Sequence, residues 1–147
     1  MPERVPKTTV LLASFNSESF LAQQLQSILD QTRKPSEIII SDDSSIDGTS
    51  AIIERLSQQR ETSVCIEEHA NPPCKMGLYS NFRNLFRIAL QVSSEVYLLS
   101  DHDDIWFPRK IETSVMALQS LNEKIGAENS PLLVYSDLAV VNEHGST

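Results

Sequence analysis

Three isoleucines at consecutive positions, in residues 37–41 (EIIIS), most limit how this chain can fold. β-Branched side chains on both faces of a strand need cover on both sides, which is typical of a buried strand in a parallel sheet. Further short apolar runs occur at residues 9–13, 63–68, 96–99 and 132–135. We predict a strand at each of these runs.

Helical patterns separate the predicted strands. Apolar residues recur at helical spacing between about residues 17 and 31, and again through 52–56 and 82–89. Pro108 suits the first turn of a fourth helix, where its missing N–H has no intrahelical partner to lose. This alternation predicts an α/β fold, a three-layer sandwich with a mostly parallel, Rossmann-like central sheet.

Composition limits the number of domains and the class of partner. The chain has 147 residues, 40% of them hydrophobic, so we expect a short tail at residues 1–7 and one domain at 8–147. The net charge of −8 repels phosphate backbones and argues against nucleic-acid binding. No apolar run reaches the roughly 20 residues that span a bilayer. Cys65 and Cys74 lack metal-ligand spacing, and we expect a cytoplasmic domain with free thiols.

Carboxylates follow three of the predicted strands. Asp42 and Asp43 come after the second strand, a run from Asp101 to Asp104 after the fourth, and Asp137 after the last. Ligands of parallel sheets bind at the carboxyl ends of the strands, so these acids are expected to converge on one edge. Their mutual repulsion would be relieved by a cation. The alternative is that each aspartate only caps its own helix.

Four segments in a fixed order carry a resemblance to a known family. They are TTVLLASFNSESFLAQQLQSILDQT, EIIISDDSSIDGT, SDHDDIWFPRKIE and VYSDLAVVNEHG, and they run from Thr8 to about Gly145. Together they resemble the family 2 glycosyltransferases with the GT-A fold, especially the rhamnosyltransferase-like branch. The resemblance implies the nucleotide-sugar-binding part of such an enzyme. It also implies that the acceptor half is absent and that the sheet is truncated at the C-terminus.

The resemblance implies nucleotide-binding roles for residues after the first two strands. Ser14 and Asn16 match the loop over which the nucleotide lies. Asp42 matches the carboxylate that accepts a hydrogen bond from the imide N–H of uracil or thymine. A carboxylate accepts but does not donate, so it suits those bases and not the bare N3 of cytosine. Asp43 is expected to support the same loop, with a helix-entry cap as the alternative.

The acidic run matches the DxD motif of the family. The resemblance implies that Asp103 coordinates a divalent cation, Mn²⁺ or Mg²⁺, and that Asp101 contacts the ribose or the metal. His102, the middle residue, is assigned to nucleotide binding with its side chain turned away from the metal, and the alternative is a metal ligand or general base. Asp104 either shares the metal or caps the next helix.

Two further positions follow from the resemblance. The loop at residues 71–77, with Asn81 after it, resembles the family segment near the diphosphate, and Lys75 could offer a cation there. Trp106 is expected to pack the turn after the acidic run, with stacking on a sugar as the alternative.

The expected activity is inverting hexosyl transfer in polysaccharide biosynthesis. The donor is a UDP- or dTDP-linked sugar, with rhamnose as one candidate, and the acceptor is a glycan or lipid-linked molecule. The chain is expected in the cytoplasm, with the inner face of the membrane, reached through a parent protein, as a further expected location. The general base is expected beyond Thr147, so the catalytic residue stays unknown and the chain alone is expected to be inactive. One alternative is a non-catalytic nucleotide-diphosphate-binding or regulatory module. Another is a metal-dependent phosphohydrolase or nucleotidyltransferase.

Overall fold

The structure, a computed structural model, describes residues 5–58, 64–70, 77–126 and 131–140. The chain divides into two compact units, residues 1–111 and 112–147. Strands and helices alternate, as the sequence predicts. The strands are Thr8–Ser14 (β1), Glu37–Asp42 (β2), Cys65–Ala70 (β3) and Val96–Ser100 (β4). The helices are Leu21–Leu29 (α1), Thr49–Ser57 (α2), Leu78–Ala89 (α3) and Lys110–Ile125 (α4).

The four strands form one parallel sheet in the order β3-β2-β1-β4. Val10 of β1 pairs with Ile38 of β2 on one side and with Leu98 of β4 on the other. Every residue of β1 is buried, and so is every residue of β2 after Glu37. Burial on both faces explains the continuous apolar runs in these two strands and confirms the predicted parallel sheet.

Helices cover both faces of this sheet. Crossovers between parallel strands are right-handed, so α1 and α2 lie on one face and α3, which leads back across the sheet to β4, lies on the other. Leu85 and Ala89 of α3 pack against Leu11, Ala13 and Ile39 of the sheet. The predicted three-layer α/β sandwich is therefore confirmed.

The predicted strand at residues 132–135 is wrong. Residues 131–140 contain neither strand nor helix, and Leu133 and Tyr135 are 81% and 91% exposed. An apolar run becomes a strand only where a neighbour supplies ladder hydrogen bonds and cover for its side chains. Asp137 lies in this segment of the second unit, so the expectation of a third strand that ends in a carboxylate fails with it.

Lys75, the cation expected near the phosphates, lies outside the described residues, as does Cys74.

None of the described helices is both long enough and apolar enough to cross a membrane.

Candidate functional site

The loops after β1, β2 and β4 meet at the carboxyl edge of the sheet. The chain leaves β1 toward β2 and later returns to pair β4 on the opposite side of β1, which makes this edge a topological switch point. A cavity of about 190 Å³ opens there. It is lined by Ala13, Ser14, Phe15, Asp43, Gly77, Leu78, Asn81, Asp101 and His102. Four of the residues predicted to bind nucleotide thus share one cavity.

The two acids after β2 have different surroundings. Asp42 is 4% exposed, and its carboxylate accepts hydrogen bonds from Ser45 N (2.8 Å) and Ser45 Oγ (2.6 Å). Asp43 lines the cavity, and its Oδ2 accepts a hydrogen bond from Gly77 N (2.7 Å). Gly77 has a φ of 81°, which a side chain would disfavour. Asp43 therefore holds the start of α3 beside the cavity, and Asp42 holds the turn that contains Ser45.

Asn16 lies outside the cavity lining and joins the loop after β1 to the loop after β2. Its backbone N donates to Ser45 Oγ (2.8 Å), and its Oδ1 accepts from Ile46 N (3.1 Å). Asn16 and Ser44 have φ values of 46° and 63°. Further hydrogen bonds between the two loops join Ser17 N to Thr49 Oγ1, Glu18 N to Asp47 Oδ2 and Gly48 N to Glu18 Oε2. These hydrogen bonds brace the two loops against each other. The left-handed conformation of Asn16 is one that asparagine tolerates better than most residues.

Asn81 joins the same two strands from the opposite face. Its Nδ2 donates to Ser14 O (3.1 Å) and to Ser41 O (3.0 Å), and the residue is 2% exposed. The resemblance placed Asn81 near the diphosphate but did not suggest this bridge. The available signal was its position in the inward stripe of α3, one turn before Leu85 and two turns before Ala89, where a polar residue needs a partner.

The acidic run after β4 forms the other side of the cavity. Asp101 Oδ1 accepts a hydrogen bond from His102 N (2.9 Å), and His102 Nδ1 lies 2.9 Å from the same oxygen. One potential ligand atom from each of Asp101, His102 and Asp103 lies within 4.8 Å of the others. The imidazole therefore turns toward the Asp101 carboxylate, and the orientation of His102 relative to a metal stays a prediction.

Asp104 is affected by the same concentration of charge. Partial burial raises the pKa of its carboxyl, and the neighbouring charges of Asp103 and Asp101 raise it further. Three carboxylates in one turn repel one another, and a divalent cation would relieve that repulsion.

The donor atoms of the acidic run fit a hard divalent cation. Asp101 and Asp103 offer carboxylate oxygens, the ligands that Mg²⁺ and Mn²⁺ favour, and His102 adds a nitrogen that Mn²⁺ accepts more readily than Mg²⁺ does. A second group with the same potential comprises Glu37, Cys65 and Glu67. Glu37 and Cys65 begin their strands, so this second group lies at the opposite edge of the sheet from the cavity.

A polar stripe on α1 holds the chain that follows β4. The buried amide of Gln24 lies 2.5 Å from Ser100 Oγ, and Ser27 Oγ accepts from Trp106 N (3.0 Å). The Gln24 amide satisfies both of its polar atoms when its nitrogen donates to the Asp104 carbonyl and its oxygen accepts from Trp106 Nε1. Gln31 accepts from Ile111 N (3.0 Å). Sequence reasoning on the apolar side of α1 missed these contacts, although Gln24 and Ser27 lie one turn apart on one face of α1, and Gln31 follows the end of the helix at Leu29.

Trp106 packs the turn after the acidic run, as predicted. It is 5% exposed, and the Lys110 ammonium lies 5.3 Å from the centre of its ring. The burial of the indole and its contact with a cation agree with the predicted packing role.

Solved structures identify the class of fold. S. aureus TarS 1–349 in complex with UDP-GlcNAc matches with a TM-score of 0.64 at 21% identity, over 80% of this chain and 32% of that one. The mannosyltransferase PcManGT from Pyrobaculum calidifontis, in complex with GDP-Man and Mn²⁺, matches with a TM-score of 0.66 at 20% identity. That match covers 78% of this chain and 32% of PcManGT. The fold is the GT-A fold of glycosyltransferases.

The chain belongs to glycosyl transferase family 2, whose sequence profile matches residues 9–125. The dTDP-rhamnosyl transferase RfbG of Shigella flexneri is 31% identical over 121 residues, which are 80% of this chain and 40% of RfbG. The Escherichia coli UDP-Glc:alpha-D-GlcNAc-diphosphoundecaprenol beta-1,3-glucosyltransferase WfaP is 30% identical over 139 residues, 94% of this chain and 51% of WfaP. The chain thus spans about half or less of the length of these relatives.

Proposed function

We propose that this chain is the donor-binding part of an inverting glycosyltransferase. The donor is a UDP- or dTDP-sugar bound with a divalent metal, and the acceptor is a glycan or a lipid-linked molecule. One observation carries the proposal: the cavity at the switch point brings Ser14, Asp43, Asp101 and His102 together, with the acidic run on its rim. Relatives named for dTDP-rhamnosyl and UDP-Glc transfer support this donor class.

The loops around the cavity take different parts of the donor in this proposal, and Asp42 belongs to one of these loops although it does not line the cavity. The braced loops after β1 and β2 receive the nucleoside, and Asp42 accepts from the imide N–H of the base. The carboxylate of Asp42 has lone pairs beyond the two contacts that Ser45 uses, so a third hydrogen bond is available to it. Asp101 contacts the ribose or the metal, and His102 contacts the nucleotide.

The acidic run holds the cation. Asp103 and Asp101 would supply its carboxylate ligands, and the cation would neutralise the charge of the nucleoside diphosphate as that group leaves the sugar. Gln24, Ser27 and Trp106 keep the backbone of the run in position. No residue of this chain is assigned the role of the acceptor base, so we propose that residues 1–147 alone bind the donor without transferring the sugar.

Calorimetric titration with UDP, dTDP and CDP, each with and without Mn²⁺, tests this function. We expect binding of UDP and dTDP that depends on the metal, and weaker binding of CDP, because cytosine has no N3 hydrogen to donate. Mg²⁺ in place of Mn²⁺ tests whether the His102 nitrogen matters for the choice of ion. A folded chain that binds none of the three nucleotides, with either ion, would contradict the proposal.

Replacing Asp42 with Ala tests the reading of the base. We expect UDP affinity to fall by about tenfold, the loss of one hydrogen bond to a charged group, and CDP affinity to change little. Both nucleotides are titrated into both proteins in the presence of Mn²⁺. The Asp42 carboxylate also holds the Ser45 turn, so an equal loss for UDP and CDP would assign Asp42 to loop structure alone.

A further inference from the structure

The outward side of α3 is an apolar and aromatic surface. We call it the α3 outer face and define it by Leu78, Tyr79, Arg83, Phe86 and Leu90, all of them exposed. Tyr79 is 94% exposed and Leu90 is 88% exposed. Such large side chains at the surface of one helix are a candidate interaction site.

The spacing of these residues explains why they face outward together. Tyr79, Arg83, Phe86 and Leu90 follow one another at intervals of four, three and four residues, which places them on one side of a helix. The opposite side carries the residues that meet the sheet, Asn81, Leu85 and Ala89. The helix therefore has two apolar sides, and the core covers only one of them.

The charge around this face differs from that of the rest of the chain. Residues 69–94 contain the basic residues Lys75, Arg83 and Arg87 and no aspartate or glutamate, although the whole chain has a net charge of −8. Arg83 and Arg87 are both exposed. An anionic surface would be attracted to this helix and repelled by most of the remaining protein.

The α3 outer face adjoins the nucleotide cavity. Leu78 lines that cavity and also lines a broader hollow of about 470 Å³ with Tyr79, Phe82, Arg83 and Phe86. A surface that contacted the α3 outer face would therefore lie next to the place where the donor sugar is proposed to bind.

We propose that the α3 outer face docks on an anionic lipid bilayer. This inference rests on the proposed function and takes the lipid-linked molecule, of the two acceptors named there, as the acceptor, which then lies at a membrane surface. Aromatic and aliphatic side chains that insert at the headgroup level, flanked by arginines that pair with lipid phosphates, are the chemistry of an interfacial helix. Docking in this way would hold the cavity beside an acceptor that stays in the membrane.

Co-sedimentation with vesicles tests the docking surface. The full chain is mixed with vesicles of phosphatidylcholine alone, or of phosphatidylcholine and phosphatidylglycerol in equal parts. We expect it to bind only the anionic vesicles. The double variant Arg83→Glu/Arg87→Glu should lower the partition coefficient by at least about 25-fold, since each basic residue near the surface contributes about fivefold. Phe86→Ser should weaken binding without removing its dependence on anionic lipid.

Arg55→Glu is the matched control for the single variant Arg83→Glu, because Arg55 is exposed on α2, on the other face of the sheet. We expect this variant to bind vesicles nearly as well as the unaltered chain. Titration of UDP with Mn²⁺ into every variant separates the two proposals, since the substituted side chains do not bind the donor in our assignment. A chain that binds UDP and Mn²⁺ but no anionic vesicles would overturn the docking proposal and leave the donor site standing.

Two further outcomes would also overturn it. A loss in Arg55→Glu equal to the loss in the single variant Arg83→Glu, which changes the charge by the same amount, would show that overall charge, and not this face, controls binding. Binding to a polyglutamate peptide without binding to vesicles would identify an acidic protein surface as the partner.

Discussion

The Asp103→Asn variant should lose metal-dependent binding of UDP while it keeps its fold. Asp103 is an exposed residue of the acidic run, so its side chain contributes little to the core. Loss of a direct metal ligand should lower the apparent affinity for Mn²⁺ by at least about 100-fold, the upper range for loss of an outer-shell partner. Affinity for UDP in the presence of Mn²⁺ should fall with it. Calorimetry with Mn²⁺ alone and then with UDP measures both losses.

The second acidic group of the protein supplies the control. Glu67 belongs to the cluster with Glu37 and Cys65, far from the cavity along the strands, and Glu67→Gln removes one negative charge just as Asp103→Asn does. We expect Glu67→Gln to leave Mn²⁺-dependent UDP binding unchanged. If Asp103→Asn binds UDP and Mn²⁺ as tightly as the unaltered chain, the acidic run does not hold the metal. Urea unfolding of both variants should stay within about 0.5 kcal/mol of the unaltered chain, as for most surface substitutions.

The Asn81→Leu variant should lower the free energy of unfolding by about 3 kcal/mol, because two buried carbonyls lose a donor. Asn81 Nδ2 donates to Ser14 O and Ser41 O, at the ends of the two central strands. Leucine has the same branching as asparagine and a larger volume, so the change removes hydrogen bonds without opening a cavity. Unfolding in urea, followed by the fluorescence of Trp106, measures the loss, and an unchanged denaturant slope would show that the folded state keeps its compactness.

Asn84→Leu is the comparison for this variant. Asn84 lies three residues further along α3 and donates to the Ser41 hydroxyl (3.2 Å), which can turn to another partner. We expect a loss below about 1 kcal/mol, typical of one partly exposed hydrogen bond. If the two variants lose equal stability, or if Asn81→Leu loses less than about 0.5 kcal/mol, the bridge between β1 and β2 is not a major source of stability.

The fold was largely predictable because its signals are local. Consecutive β-branched residues in β2 and the apolar run in β1 identify strands that are covered on both faces. Residues 132–135 carry the same kind of pattern and form no strand. Whether an apolar run pairs depends on a neighbour that the run itself does not specify.

The sequence indicated which loops form the candidate site, but it did not indicate the hydrogen bonds of individual side chains there. The positions of the acids at strand ends placed Asp43 and Asp101 on one edge, and the structure brings both to one cavity. The hydrogen bonds of Asp42 to Ser45, and of Asn81 to Ser14 and Ser41, depend on how loops and helices pack in three dimensions. Spacing in the sequence does not encode those contacts.

The two sides of the cavity depend on strand pairings that differ in sequence separation, because β4 pairs with β1. The pairing of β1 with β2 joins residues 28 apart, such as Thr9 and Glu37, whereas the pairing of β1 with β4 brings together residues 88 apart, such as Thr8 and Val96. Closing the longer loop costs about 1 kcal/mol more in chain entropy. Among the described strands, β4 pairs on one side only. The loops proposed to receive the nucleoside can therefore form from near neighbours in the chain, while the turn proposed to hold the cation exists only after the most distant strand has docked.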